Sequence, residues 1–484
     1  MLWALAFLCL SSGETFAETC DHQSALQVRN VTSAAVPLTE WFPDQQPSDV
    51  YFESEDSSAW RSPRDLALLP APTELRLANG ETMRIFSAVP SFGEDGNFIA
   101  LLLTKSTKRW VSENLPLFCS GPNGAHRRPV RGYRRVLLCD WPAEETDRES
   151  FEVFLEDQDG KHLLRVLARR KVGLLQKYHT MACVRDVFFE SREFFSAALK
   201  QLVEWLEFYR FHGIEHFFVY TFRGTEDAVK ELLMPYLRQG LATRIHFDDY
   251  PSDKIHRQHQ VVQDCLYRAK SHTTWLLPSV DVDEYFHLKS GHFFPDGVVP
   301  QDYLKTAWDA IVKWKGKRLE EVRSVSFRSF RFARAPSDSL EISSAWREAK
   351  LPRSHNHPEK LANGKFACNV HVVHSLWFHF ATACENATED IMLPETLGVG
   401  NHYRVDWQSG HKYGDHFGHD DPKASTFDDL LTSEVPLLEQ AIQRRFGEKP
   451  QTLLKRLSAE HPPVHLHQSI AADDDDDADE FTSE

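Results

Sequence analysis

Between about residues 20 and 175, apolar and polar positions alternate in short runs: ELRLANGETMRIFSAV, NFIALLLT, RRVLLCDW and SFEVFLEDQDGKHLLRVLA. Clusters of Gly, Pro, Asn and Asp separate them, and a period of two broken by turn residues predicts an antiparallel β domain. The pattern changes after residue 176. Thr180–Val184 predicts a short buried strand. Over Ser191–His212, Phe195, Leu199, Leu202, Leu206 and Tyr209 recur at steps of three and four, which predicts a helix that stops at Gly213. A strand at 216–222, a helix at 226–239 closed by Gly240, a strand at 242–247, a helix at 255–270 and a strand at 273–280 follow. Strand and helix in alternation imply βαβ units, hence an α/β fold with a mostly parallel, Rossmann-like sheet covered by helices. Beyond 281 the pattern is mixed, with aromatic segments (SVSFRSFRFAR, SLWFHFATAC) and a helix predicted over 427–446.

Composition narrows the class. Apolar residues are 42% and aromatic residues 12% of 484 positions, which excludes fibrous and low-complexity chains. The net charge is 55 − 71, or −16, but residues 473–484 hold eight of the acids, leaving 55 − 63, or −8, for the body. Neither value suits a nucleic-acid partner, which requires a concentrated basic face. The acidic segment at 471–484 has too little apolar content to fold and is expected to be a solvated tail.

The nine apolar residues Leu2 to Leu10, followed by Thr15 and Ala17, match a signal peptide over residues 1–17. Nine residues are too few to span a bilayer, so no membrane span is expected after cleavage. The secretory pathway, Golgi lumen or exterior, is the expected location, in keeping with sequons at Asn30 and Asn386. Of eight cysteines, Cys9 lies in the leader, so at most three pairs form. Cys119 and Cys139 stand either side of a basic turn, as across a strand pair, and Cys368 and Cys384 flank the aromatic and His segment.

Ligands of parallel sheets sit at the carboxyl ends of the strands. There, Asp281-Val282-Asp283-Glu284 follows the buried run WLLPSV directly. A period of two would aim Asp281 and Asp283 at one spot, and their repulsion invites a divalent cation. Oxygen donors select Mn²⁺ or Mg²⁺, and such an ion can hold a diphosphate. Neither G-x-G-x-x-G nor G-x-x-x-x-G-K-[ST] occurs, so the usual backbone cradles for phosphate are absent.

The stretches CVRDVFFES (183–191), LVEWLEFYRFHGIEHFFVYTF (202–222), LLMPYLRQGLATRIHF (232–247), QDCLYRAK (263–270), WLLPSVDVDEYF (275–286), the Lys365-to-His379 segment and NHYR (401–404) together resemble glycosyltransferase family 92. The resemblance covers roughly residues 180–445. It implies a GT-A catalytic domain at 176–450 after the β domain at 20–175, a nucleotide-sugar donor (typically UDP-galactose), a glycan acceptor, Mn²⁺, and inversion at the anomeric carbon. Residue by residue, it implies that Asp281 and Asp283 hold the metal and Asp281 also meets the donor. His379 falls where the family places a His after a Lys-x-x-x-Arg-Pro segment, as a third ligand or diphosphate contact; this chain has Asn369-Val370 in place of Arg-Pro, and His374 is the alternative. Arg185, His402 and Arg404 are expected at the nucleotide sugar. Inversion requires a carboxylate base near the acceptor hydroxyl, for which Glu284 is the first candidate and Glu348 the second.

Two other classes compete. The stretch HKYGDHFGHDD (411–421) could serve a metal hydrolase, although its His spacing suits no helix face. A non-catalytic carbohydrate-binding protein could instead use Trp60, Trp110 and Trp141 as stacking platforms.

Overall fold

The computed structural model describes residues 73–76, 82–93, 96–103, 117–133, 135–145, 150–169, 177–184, 195–222, 226–247, 254–334, 364–377, 379–384, 389–405 and 429–461. The leader, both sequons, Arg185, Trp60, Trp110, Glu348, the 411–421 stretch and the acidic tail lie outside these residues.

The N-terminal part is antiparallel β, as its period of two predicts. Its strands are β1 (Thr73–Arg76), β2 (Thr82–Gly93), β3 (Gly96–Leu103), β4 (Phe118–Ser120), β5 (Arg128–Pro129), β6 (Arg131–Tyr133), β7 (Val136–Asp140), β8 (Ser150–Glu156) and β9 (His162–Arg169). They form two sheets, β1-β2-β3-β7-β6 and β5-β4-β8-β9. Cys119 of β4 and Cys139 of β7 are disulfide-bonded, so the bridge joins the two sheets rather than neighbouring strands of one ladder.

The alternating region follows its pattern closely: β10 (Tyr178–Val184), α1 (Phe195–Phe211), β11 (His216–Phe222), α2 (Glu226–Arg238), β12 (Ala242–Phe247), α3 (Lys254–Ala269) and β13 (Thr273–Leu277). Both predicted helix stops are left-handed glycines, Gly213 at φ +102° and Gly240 at φ +67°. At Gly213 a Cβ would come within 2.5 Å of the Asp302 carbonyl, so no other residue fits there without backbone movement. Next come β14 (Glu284–Leu288), α4 (Ala307–Trp314), β15 (Val322–Phe327), β16 (Ser329–Arg334), β17 (Lys365–Asn369), β18 (Val373–Leu376), β19 (Ala381–Cys384), β20 (Glu389–Leu393), β21 (Gly398–Val405), α5 (Asp429–Phe446) and α6 (Pro450–Glu460).

Seven strands make the central sheet, in the order β12-β11-β10-β13-β17-β15-β20. The first four are mutually parallel. β17 then runs antiparallel to both β13 and β15, and β20 is parallel to β15. The sheet is therefore mixed, and the parallel half carries the βαβ units. Both faces are buried, which explains the unbroken apolar runs. Ala182, Val184, Trp275 and Leu277 face α1, α2, α4, α5 and α6 in one cluster. Their neighbours Met181, Cys183 and Leu276 face α3 in another, together with Val89, Phe98, Ala100, Leu102, Val136 and Leu138 of the N-terminal β region.

Polar links follow the same seams. Asp264 of α3 is fully buried and accepts from Ser87 of β2 (2.6 Å) and Tyr220 of β11 (2.7 Å), with Arg268 as its counter-ion. On the opposite side, burial pushes the Glu207 carboxyl up, but Arg445 of α5 outweighs it and holds the group below the usual carboxylate range. A second disulfide, Cys183–Cys265, ties β10 to α3. Cys368 and Cys384 are free thiols, and burial raises the Cys368 thiol to about 12. Disulfides belong to oxidising compartments. Among the described residues, no helix is long and apolar enough to cross a membrane.

Two stability predictions follow from this packing. Cys183 and Cys265 are 82 residues apart, so replacing both by Ser should lower unfolding stability by up to about 4.5 kcal/mol on the chain-entropy account. Denaturant titration measures it. His287 of β14 is buried, and burial lowers its pKa to about 4, with His212 and Lys289 lowering it further and Glu434 opposing. The unfolded side chain binds a proton near pH 6.5, so the contribution is complete above that pH and is lost as the pH falls towards 4, by about 3 kcal/mol. A His287→Phe chain should lose less stability between pH 7 and 4 than the parent; an equal loss in both would refute the assignment.

Candidate active site

The order β12-β11-β10-β13 numbers 3-2-1-4 in chain sequence, so the chain steps outward from β10 to β12 and then crosses back to β13 on the other side, which puts the sheet's topological switch point between β10 and β13. Ligands of open α/β sheets bind at such a switch point, outside the carboxyl ends of the strands. Arg185 follows β10 directly, and the acidic tetrapeptide follows β13.

β13 ends at Leu277, three residues earlier than its apolar run suggests, because Pro278 has no N–H to offer the ladder. Asp281 to Asp283 consequently lie in a turn and not in a strand. That turn is closed twice: the Glu284 N–H donates to the Asp281 carbonyl, and the Asp281 N–H donates to Glu284 Oε2, both at 2.9 Å. The turn, rather than a period of two, aims the two aspartates.

Glu284 opens β14, which leaves the central sheet and pairs antiparallel with β21, placing Glu284 opposite His402. The Glu284 side chain is only 4% exposed, and both its oxygens are engaged. Besides the Asp281 N–H, it meets Lys365 Nζ at 3.0 Å and His402 Nδ1 at 3.2 Å. Lys365 also donates to Asp281 Oδ2 at 3.0 Å and to the Ser279 carbonyl at 2.7 Å. His402 Nε2 lies 3.3 Å from Asp283 Oδ2. The two aspartates stay open to solvent, at 32% for Asp281 and 19% for Asp283. A buried carboxylate thus sits between two basic side chains, and each of those holds one aspartate by one oxygen.

His379 Nδ1–H donates to the carbonyl of Gly364 at 3.1 Å, which brings it beside Lys365. Donation from Nδ1 would present Nε2 as the basic nitrogen, the usual arrangement for a ligating His. His374 is placed elsewhere. Its ring stacks on Tyr133 of β6, with centroids 4.7 Å apart, and its carbonyl accepts from Tyr267 of α3. Arg404 lies in β21 in register with Ala333, its side chain outside the described residues. Trp141 is buried against Phe151 and offers no open stacking face.

The donor set can be weighed against a divalent ion. Mg²⁺-type sites use one or two carboxylates and take the remaining ligands from water and substrate phosphates. Asp281 and Asp283, oxygen donors at a half-open turn, fit that description without a closed protein cage. Elsewhere, Glu231, Glu460 and His461 approach one another closely enough to share an ion. Arg456 already pairs with both of those glutamates, which removes the charge a cation would need.

Lys365, which the pattern of residues did not single out, lies in contact with Asp281 and Glu284. The available signal was a lone Lys opening the buried run KFACNV: a Lys in such a place must find carboxylates.

The model of glycosyltransferase family 92 matches residues 183–436, a little over half of the sequence, and the chain belongs to that family. A galactan beta-1,4-galactosyltransferase, GALS3, of Arabidopsis thaliana is 33% identical over 93 residues, a match that spans 18% of each protein.

The different surroundings of the two histidines give a paired expectation. His379→Ala should reduce glycosyl transfer more than His374→Ala, whereas His374→Ala should cost more stability, about 1–3 kcal/mol, because it opens a gap against Tyr133. Rate assays and melts on both variants check it, and the reverse order would exchange their roles.

Proposed function

We propose that this glycosyltransferase moves galactose from UDP-galactose to a glycan acceptor, inverting the anomeric carbon, with Mn²⁺ or Mg²⁺ held by Asp281 and Asp283 within a GT-A domain. The observation that carries the reading is the half-open pair of aspartates on a rigid turn at the carboxyl end of β13, beside the sheet's switch point. The galactosyltransferase named above supports the choice of sugar.

When bound, a divalent cation supplies positive charge to the diphosphate leaving group. The chain's own residues then have distinct tasks. Asp281 and Asp283 set where the diphosphate lies. His379 is the third ligand or a diphosphate contact, and Arg185, His402 and Arg404 line the nucleotide side. Glu284 is too enclosed, and too fully paired, to take a proton from an acceptor hydroxyl, so its role is to hold the turn. Glu348 is then the base candidate. The two disulfides among the described residues support work in the lumen of the secretory pathway or outside the cell.

The test is thermal melting against a panel of nucleotide sugars, each with and without Mn²⁺. UDP-galactose with Mn²⁺ should stabilise the chain selectively, by about 2.7 kcal/mol at a hundred times its dissociation constant. Asp283→Ala should melt like the parent without ligand, lose the Mn²⁺-dependent shift, and transfer sugar at least about a hundredfold more slowly. Unchanged transfer with an unchanged Mn²⁺ requirement in that variant would sink the metal assignment.

A further inference from the structure

Lys365 is unusual for a side chain beside two acids that face solvent. It is buried, and its ammonium has three donors that meet three oxygens, from Ser279, Asp281 and Glu284. The position follows from topology. Cys368 and Asn369 of β17 stand opposite Leu276 and Trp275 of β13. Continuing that antiparallel register brings Lys365 level with Ser279, where the β13 ladder has already ended. The lysine therefore fastens the start of the acidic turn to the sheet through the Ser279 carbonyl and fastens its end through Glu284. By the same contacts it sets a positive charge against Asp281.

We propose that Lys365 is a positioning residue that holds the acidic turn in its working shape and, as a fixed internal cation, keeps the affinity of the Asp281/Asp283 pair for a divalent ion low. The inference rests on the reading that these aspartates bind such an ion. Two effects of removing the lysine oppose each other. Freeing Asp281 loosens one short side chain, which weakens binding by a single rotamer's worth of order. Losing a unit charge at a neighbouring oxygen relieves repulsion of a doubly charged ion, and between partly buried groups this is the larger effect. Affinity should therefore rise while the turn becomes less well placed. A weakly held ion suits a donor that arrives with its metal and a product that leaves with it.

The test uses the full chain and Mn²⁺ alone, titrated calorimetrically without nucleotide, alongside steady-state transfer. Lys365→Met should bind Mn²⁺ at least about threefold more tightly than the parent. It should also show kcat about tenfold to a hundredfold lower, with KM for the donor little changed, since misplacement of a site costs rate. Because Lys365→Met leaves the enclosed Glu284 carboxylate without its cation, the double variant Lys365→Met/Glu284→Gln serves as the second arm. It removes one charge of each sign, so its Mn²⁺ affinity should return to within about twofold of the parent while kcat stays low. A folded single variant whose Mn²⁺ affinity is unchanged or weaker overturns the proposal, as does a double variant that binds as tightly as expected for the single one. Should the parent chain itself bind no Mn²⁺, the metal reading fails first and this inference falls with it.

Discussion

A carboxylate removed from water must be fully paired or it will not stay charged, and that constraint on Glu284 organises the region around it. Three donors converge on its two oxygens: the Asp281 N–H, the Lys365 ammonium and the His402 ring. These come from the turn after β13, from β17 and from β21, three segments far apart in sequence. One buried charge therefore fixes the relative positions of the central sheet and the small β14-β21-β16 sheet at the edge where they meet. The two aspartates remain partly in water, where such charges are cheap to keep. The division is economical in physical terms: the acid that provides rigidity is enclosed, and the acids available to a ligand are not.

Much of this was legible in the pattern of residues. The strands at 216–222 and 242–247 and the helix stops at Gly213 and Gly240 coincide with the structure because each rests on local chemistry, an apolar run or a left-handed glycine. The acidic tetrapeptide Asp281-Val282-Asp283-Glu284 is legible for the same reason: its three acids interrupt apolar sequence at a strand end. Contacts that close over long separations were not visible. Lys365 meets Asp281 across 84 positions only because β17 inserts antiparallel between β13 and β15. Nothing in the local alternation of β17 specifies that insertion. The Cys183–Cys265 bridge was hidden likewise, since it depends on α3 packing across β10. β13 is shorter than its apolar run because Pro278 lies inside that run and cannot donate to the ladder.

Glu284, a base candidate by its place beside the two aspartates, is buried and paired with the Asp281 N–H, Lys365 and His402. Burial and three partners favour the supporting role proposed above, and a support in this position is as sensitive to substitution as a base would be. Loss of activity on mutation could not by itself tell the two apart.

The N-terminal β region bears on where this protein's boundaries lie. The family match begins at residue 183, yet the core containing Met181, Cys183 and Leu276 also contains Val89, Phe98 and Leu102, and the buried Asp264 of α3 accepts from Ser87. The stretch that the family model matches is thus smaller than the unit that packs around it. Residues of α3 answer to two sets of neighbours at once, one inside the matched stretch and one upstream of it. Divergence in the β region should therefore be mirrored by compensating changes on α3, and a chain that exchanged its β region for that of a distant relative would inherit a mismatched seam beneath an intact acidic turn.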